Sequence, residues 1–378
     1  MLSVSCRFDS GAIEVIDASD AAAIRLRLRA DSHADIRQWF HFRLVGAAGQ
    51  PCALRIENAG EATYPSGWAG YRACASYDRE HWFRIATEYD GKTLTLRVTP
   101  QRESMYFAYF EPYSWERHLA LLARCEASGL ARIERLGSTV DGRDLDLVIV
   151  GEPRARARPV WVIARQHPGE TMAEWFVDGL LERLLDRSDP VARLARERAV
   201  FYLVPNMNPD GSVRGNLRTN AAGVNLNREW QQPSPERSPE VWWVRQRMLQ
   251  TGAHLVLDVH GDETLPYVFI EGPQQLPGFT PAQGARLQAF LDGFVAASPD
   301  FQTEHGYPKT KETKANPRLA SKWASEQFGG LAMTLELPFK DNANLPDPIH
   351  GWSAARSRRL GAAILHPMLA DLSSPAAA

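Results

Sequence analysis

The chain has 378 residues, 44% of them hydrophobic and 23% charged, with a formal net charge of −2. That length favours two domains, the composition is that of a soluble globular protein, and the near-neutral charge gives no field selecting nucleic acid or a membrane surface as partner. Four cysteines (Cys6, Cys52, Cys74, Cys125) lack CxxC spacing, which argues against a structural zinc site or a disulfide framework. No apolar run approaches the ~20 residues needed to cross a bilayer. The opening "MLSVSCRFDSGAIEVIDASD" meets Asp and Gly before a signal-peptide core forms, so a cytoplasmic location is expected.

Residues 1–112 read as an N-terminal β-sandwich domain. "WFHFRL" (39–44), "HWFRIAT" (81–87) and "TLTLRVT" (93–99) are rich in aromatic and β-branched residues and are separated by turn signals such as "GAAGQP" and "YDGK". Trp39, Trp68, Tyr71 and Trp82 are candidates for a ligand-binding face, against the simpler expectation of a core and a domain interface.

From residue 113 the pattern changes, and 113–372 reads as one α/β domain with a mixed sheet covered by helices, followed by a flexible tail at 373–378. Ser114 is placed to cap a helix starting at Trp115. Apolar strands are expected at 145–150, 159–165, 199–205, 254–260, 267–272 and 331–337, with helices at about 171–186, 239–250, 280–297 and 351–372. In such folds chemistry sits at the carboxyl ends of the strands.

Polar residues at those ends are therefore informative. His167 and Glu170 follow the strand ending near Arg165, and His260 ends "HLVLDVH" before Gly261. Two imidazoles and one carboxylate make a three-ligand catalytic zinc set with a fourth position open. HxxE alone is weak, and a lone strand-end histidine is more often a hydrogen-bonded surface residue. Glu336, inside the apolar "LAMTLELPF", strengthens the case, because a carboxylate there is costly without a nearby charge. A salt bridge to Lys340 or Arg358 is the bland explanation; a general base for an attacking water is the functional one.

Five ordered pieces, "HPGE" (167–170), "NPDG" (208–211), "GNLRTNAAGVNLNREW" (215–230), "DVHGDE" (258–263) and "TLEL" (334–337), resemble the zinc metallocarboxypeptidases over roughly residues 113–370. The third piece is most similar to the cytosolic carboxypeptidase branch, which also carries a β-sandwich ahead of the catalytic domain. The resemblance implies one zinc per chain on His167, Glu170 and His260, with Glu336 as general base and then acid. It implies Arg218 as the group polarising the scissile carbonyl, and Asn227 and Arg228 as the grip on the substrate's terminal carboxylate. Two departures stand out. Asn225 occupies the place of the family's aspartate that orients a zinc histidine, and Tyr307 is the sole tyrosine close upstream of Glu336 to take the part of the mobile active-site tyrosine.

The expected partner is the C-terminal tail of a peptide or protein. The basic stretch "YPKTKETKANPRLASKW" (307–323), with Lys309, Lys311, Lys314, Arg318 and Lys322, lies in the region that lines the family's side-chain pocket. It suggests a preference for C-terminal Glu or Asp, as in deglutamylases, with Arg318 as the side-chain contact; a solvated charged face is the alternative. Rival readings are an aspartoacylase-like amidohydrolase acting on small N-acyl amino acids, an iron oxygenase with a two-histidine, one-carboxylate triad, and a non-catalytic protein-binding module. Nothing in the sequence fixes an oligomeric state.

Overall fold

The protein is described by a computed structural model covering residues 1–308 and 316–374. Lys309, Lys311 and Lys314, and the last four residues of the expected tail, therefore lie outside the described residues; the final helix, Leu365–Ser373, runs into the start of that tail.

The N-terminal region holds two five-stranded sheets. One, wholly antiparallel, runs in the order Ser3–Ser5, His41–Val45, Ser104–Ala108, Cys74–Ser76, Trp82–Arg84. The other runs Glu14–Asp17, Ile24–Arg27, Cys52–Ile56, Leu94–Val98, Ala86–Tyr89, with one parallel pair, Ile24–Arg27 against Cys52–Ile56. The "HWFRIAT" run is two short strands in different sheets rather than one, because the chain crosses at Ile85. Trp39, Trp68, Tyr71 and Trp82 are all buried, so they form core and not an open binding face. Trp68, Tyr71 and Tyr109 pack as an aromatic cluster, and Tyr109 stacks on Phe339 of the following region at 4.5 Å.

The seven-stranded sheet runs Ala131–Ser138, Asp144–Val150, Ala199–Val204, Arg158–Ala164, Leu255–Asp262, Leu331–Pro338, Phe269–Glu271. Its middle four strands are parallel and its outer ones antiparallel, giving the expected mixed sheet. Apolar side chains leave both faces: Val160, Val162 and Leu257 pack on one side, Trp161, Ile163 and Val256 on the other. Ser114 caps Trp115–Ala127 by accepting from the Arg117 N–H at 3.2 Å. Helix Thr171–Leu184 crosses Ala354–Ala363 backbone to backbone: a Cβ at Gly179 would lie 2.1 Å from the Arg358 carbonyl oxygen, so only glycine fits. The helix expected over 351–372 is two, Ala354–Ala363 and Leu365–Ser373, with Pro367 in the first turn of the second, where its missing N–H costs nothing. Among the described residues no helix is long and apolar enough to cross a membrane.

Candidate active site

The carboxyl ends of the central parallel strands converge on one cleft. His167 lies in the turn after Arg158–Ala164, Glu170 is the N-cap of Thr171–Leu184, and His260 and Glu336 sit in Leu255–Asp262 and Leu331–Pro338. His260 and Glu336 are register partners on adjacent parallel strands, so their side chains leave the same face of the sheet. The turn that delivers His167 begins at Arg165, a fully buried residue with φ 59°. Its guanidinium donates to the Pro168 carbonyl (2.8 Å), the Tyr113 carbonyl (2.9 Å) and Glu174 (2.6 Å), bracing the turn from inside.

His167 Nδ1 lies 2.7 Å from Glu170 Oε1, and His260 Nδ1 lies 2.8 Å from Glu170 Oε2. Ligand atoms of the three residues all lie within 4.8 Å of one another, and all three side chains are buried. The outer nitrogens are held from behind. His167 Nε2 donates to Asn225 Oδ1 at 3.1 Å, and His260 Nε2 faces Asp258 Oδ2 at 2.9 Å. Acceptors behind each Nε2 leave both Nδ1 atoms pointing at Glu170, so with a metal bound each Nδ1 can offer its lone pair while Nε2 keeps its proton. Asp258 is itself fixed by Gln166, whose Nε2 reaches both carboxylate oxygens at 2.8 Å while its Oε1 accepts from Trp230 Nε1 at 2.8 Å. Sequence reasoning did not single out Asp258, Gln166 or Trp230; the Asp two residues before His260 was the available signal.

Burial, aided by the Arg218 charge, pulls the His167 imidazole down to about 4, so it is neutral near pH 7. Burial works against a charged His260 too, but Asp258 and Glu170 outweigh it and raise the ring well above its ordinary value. Glu170 is held low, its burial overcome by the two imidazoles. A buried anion between two ring nitrogens is a site that calls for a cation.

Glu336 is buried, and its Oε2 has no hydrogen-bond partner among the described residues. Burial pushes its carboxyl well up, His260 opposes the rise, and Glu170 and Asp262 reinforce it. Neither candidate salt-bridge partner reaches it. Lys340 donates to the Ala69 and Thr264 carbonyls, and Arg358 pairs with Glu182 at 2.7 Å. Tyr307 does stand beside Glu336, its hydroxyl donating to Asp262 at 2.8 Å and its ring edge-on to Phe269.

Arg218 Nη1 lies 3.9 Å from Glu170 Oε1, and its guanidinium sits 5.5 Å from the centre of the Tyr64 ring. Tyr64, pushed up to about 12 by burial, comes from the N-terminal region. Glu263 faces the same arginine, buried and with Oε1 unpartnered among the described residues. Asn227 Oδ1 accepts from the Ala320 N–H at 2.9 Å, and its Nδ2 lies 3.1 Å from His260 Nε2. Arg228 Nη1 donates to the Asn227 carbonyl at 2.7 Å, and the exposed Arg318 donates to the Arg228 carbonyl at 2.9 Å. Lys322 is buried and bonded to the Gly272 carbonyl, so its charge is spent inside the protein. In "NPDG", Asn208 caps the short helix Pro209–Arg214 and Asp210 is tied to Thr139 and Arg143, a structural part for this motif.

A family model for zinc carboxypeptidases matches residues 118–348, and one for the cytosolic carboxypeptidase N-terminal domain matches residues 4–110. Among solved structures, a metallo-carboxypeptidase from Burkholderia cenocepacia is 53% identical with a TM-score of 0.96, covering 98% of this chain and 99% of that one. A metallo-carboxypeptidase from Pseudomonas aeruginosa, solved in complex with (2-guanidinoethylmercapto)succinic acid, is 46% identical with a TM-score of 0.94, over 98% of this chain and 100% of that one. Cytosolic carboxypeptidase 4 of Mus musculus is 31% identical over 70% of this chain, which spans only 28% of that longer protein. The chain belongs to the zinc carboxypeptidase family, a family of metallopeptidase hydrolases, and carries the N-terminal domain of its cytosolic branch.

Proposed function

We propose that the protein is a zinc-dependent carboxypeptidase that hydrolyses the last peptide bond of peptide or protein tails and prefers C-terminal Glu or Asp. The observation that carries this reading is a buried Glu336, its Oε2 without a hydrogen-bond partner among the described residues, register-paired with His260 beside the convergent His167 and Glu170. The donor set fits one zinc ion: two imidazoles with an acceptor behind each outer nitrogen, and one carboxylate. When bound, zinc supplies a Lewis acid and makes water more acidic at neutral pH.

The chain's own groups do the rest. Glu336 takes a proton from the attacking water at its free Oε2 and returns it to the leaving amine. Arg218, beside Glu170, meets the negative charge that develops on the scissile carbonyl oxygen. Arg228 and the side-chain amide of Asn227 hold the terminal carboxylate, with Tyr307 facing substrate from the Glu336 side. The acidic preference draws on charge density. Burial first, and then the Arg218 and Arg318 charges, disfavour the charge on Arg228, and a substrate bearing two carboxylates would offset that repulsion. The cytoplasm is the proposed place of action, after the cytosolic relatives.

The test is a peptide series differing only in the last residue, read by mass spectrometry with and without a zinc chelator. Chelator-sensitive release of Glu or Asp ahead of Phe and Lys is expected. Faster release of Phe or Lys overturns the acidic preference. Hydrolysis of N-acyl amino acids without any peptide cleavage overturns the carboxypeptidase reading in favour of the aspartoacylase-like one.

A further inference from the structure

The segment that carries Arg218 leaves the short helix Pro209–Arg214 and is docked along its length on the N-terminal domain. The Ser10 N–H donates to the Val213 carbonyl at 3.0 Å, and Arg29 donates to the Arg214 carbonyl. Asn216 Oδ1 accepts from the Ser32 N–H at 3.1 Å. Close approach is possible because the segment turns on glycines. A Cβ at Gly215 would lie 2.6 Å from the Ser10 carbonyl oxygen, and one at Gly223 would lie 2.4 Å from that of His33.

At the middle of this contact stands one buried carboxylate, Asp31. It accepts from the Leu217 N–H (2.6 Å), the Arg218 N–H (2.8 Å), the Thr219 N–H (2.9 Å) and the Thr219 hydroxyl (3.1 Å). Three consecutive backbone amides aimed at one anion form a nest, which fixes the backbone at Arg218 in one conformation. The side chain that emerges is laid on the ring of Tyr64, also from the N-terminal domain, and reaches Glu170. The Leu217 carbonyl in turn accepts from the Gly169 N–H at 2.8 Å, inside the turn between His167 and Glu170. The carboxylate cradle and the aromatic floor of Arg218 thus both belong to the N-terminal domain, while Glu170 faces it from the catalytic side.

We propose that the N-terminal domain completes the active site, with Asp31 as the positioning residue of Arg218 and Tyr64 as its floor. This inference rests on the reading of Arg218 as the group that meets the developing oxyanion. An arginine used in the transition state loses its value when displaced by about an ångström. The domain's task is therefore to hold one guanidinium in place.

The test is a double-mutant cycle on full-length, zinc-loaded protein, using the best-cleaved peptide of the C-terminal series and following kcat, KM, metal content and Tm. Arg218→Ala alone should lower kcat by about 10²–10³-fold. Asp31→Asn puts an N–H₂ group among the three amides and should lower kcat by about 10–100-fold. Its KM should change little and its metal content should stay at that of the parent. In the Arg218→Ala background, Asp31→Asn should cost nothing further in kcat, a non-additivity that general destabilisation does not produce. Equal losses in both backgrounds, or full activity of Asp31→Asn beside an impaired Arg218→Ala, overturns the inference alone. Full activity of Arg218→Ala overturns the reading of Arg218 and the inference with it. If Asp31→Asn does not fold, Tyr64→Leu, which leaves the cradle intact, takes its place in the same cycle with the same criteria.

Discussion

His167 Nδ1 and His260 Nδ1 stand 3.2 Å apart, each with one oxygen of the Glu170 carboxylate against it. With His167 neutral and His260 protonated, the His260 Nδ1–H can donate to His167 Nδ1, and a metal ion bound there would replace that proton. The bonds behind them decide which nitrogens face in: Asn225 takes the Nε2–H of His167, and Asp258 that of His260. One brace is neutral and the other charged, so the two histidines are held unequally.

That asymmetry is testable through metal affinity. Asn225→Ala and Asp258→Ala should each weaken zinc binding by about 10–100-fold. Asn225→Asp, which restores a charged acceptor behind His167, should tighten it. Competition against a chromophoric chelator measures all three, and an Asn225→Asp protein that binds zinc more weakly than the parent contradicts the assignment of Asn225 as acceptor.

Arg84 ties the N-terminal domain to the chain that follows Glu336. Its buried guanidinium donates to the carbonyls of Phe339 (2.8 Å), Trp352 (2.9 Å), His350 (3.1 Å) and Arg72 (2.6 Å). Arg84→Ala strands these acceptors away from water and should cost at least about 3 kcal/mol. Urea denaturation reads the loss, and Arg84→Lys, with three donors left, should recover part of it. An unchanged midpoint for Arg84→Ala contradicts the role.

Glu240 predicts a pH dependence. Burial first, then the Asp210 and Asp141 charges, push its carboxyl up to about 8, against the Asn220 side chain that donates to it at 3.2 Å. Between the ordinary carboxylate value of 4.5 and about 8 the folded protein keeps a proton that the unfolded chain has released. The unfolded state then binds fewer protons, so this group's contribution to stability falls as pH rises through that window. Glu240→Gln, which mimics the protonated form, should flatten that fall and raise Tm at pH 8 while changing little at pH 5. A variant less stable than the parent at pH 8 contradicts it.

The catalytic fold was legible because its buried strands are apolar runs, continuous from Val160 to Ala164 and broken by Asp258 alone from Leu255 to Val259. The strand Ala131–Ser138 was not: it lies at the sheet edge, alternates poorly and breaks register at Arg135/Gly137. Helix Pro190–Arg198 buries only Ala192 and Ala195 and so leaves no apolar stripe, while Ala320–Phe328 begins at the end of a stretch, 307–323, read for its charge. At the site, His167, Glu170, His260 and Glu336 were legible through ordered motifs at strand ends. Asp31 and Tyr64 were not, since nothing local to the first hundred residues marks a contact with Arg218. Gln166 and Trp230 looked like ordinary motif neighbours until the fold set Gln166 on Asp258 and Trp230 on Gln166.

The measurement that bears most directly on the zinc carboxypeptidase reading is the turnover of Glu336→Gln with its metal content determined on the same sample. Gln keeps the size of the side chain but cannot take the proton of water. The expected result is one zinc per chain with kcat reduced by about 10²–10⁴-fold. A metal-loaded Glu336→Gln protein that hydrolyses peptides at the parent rate contradicts it.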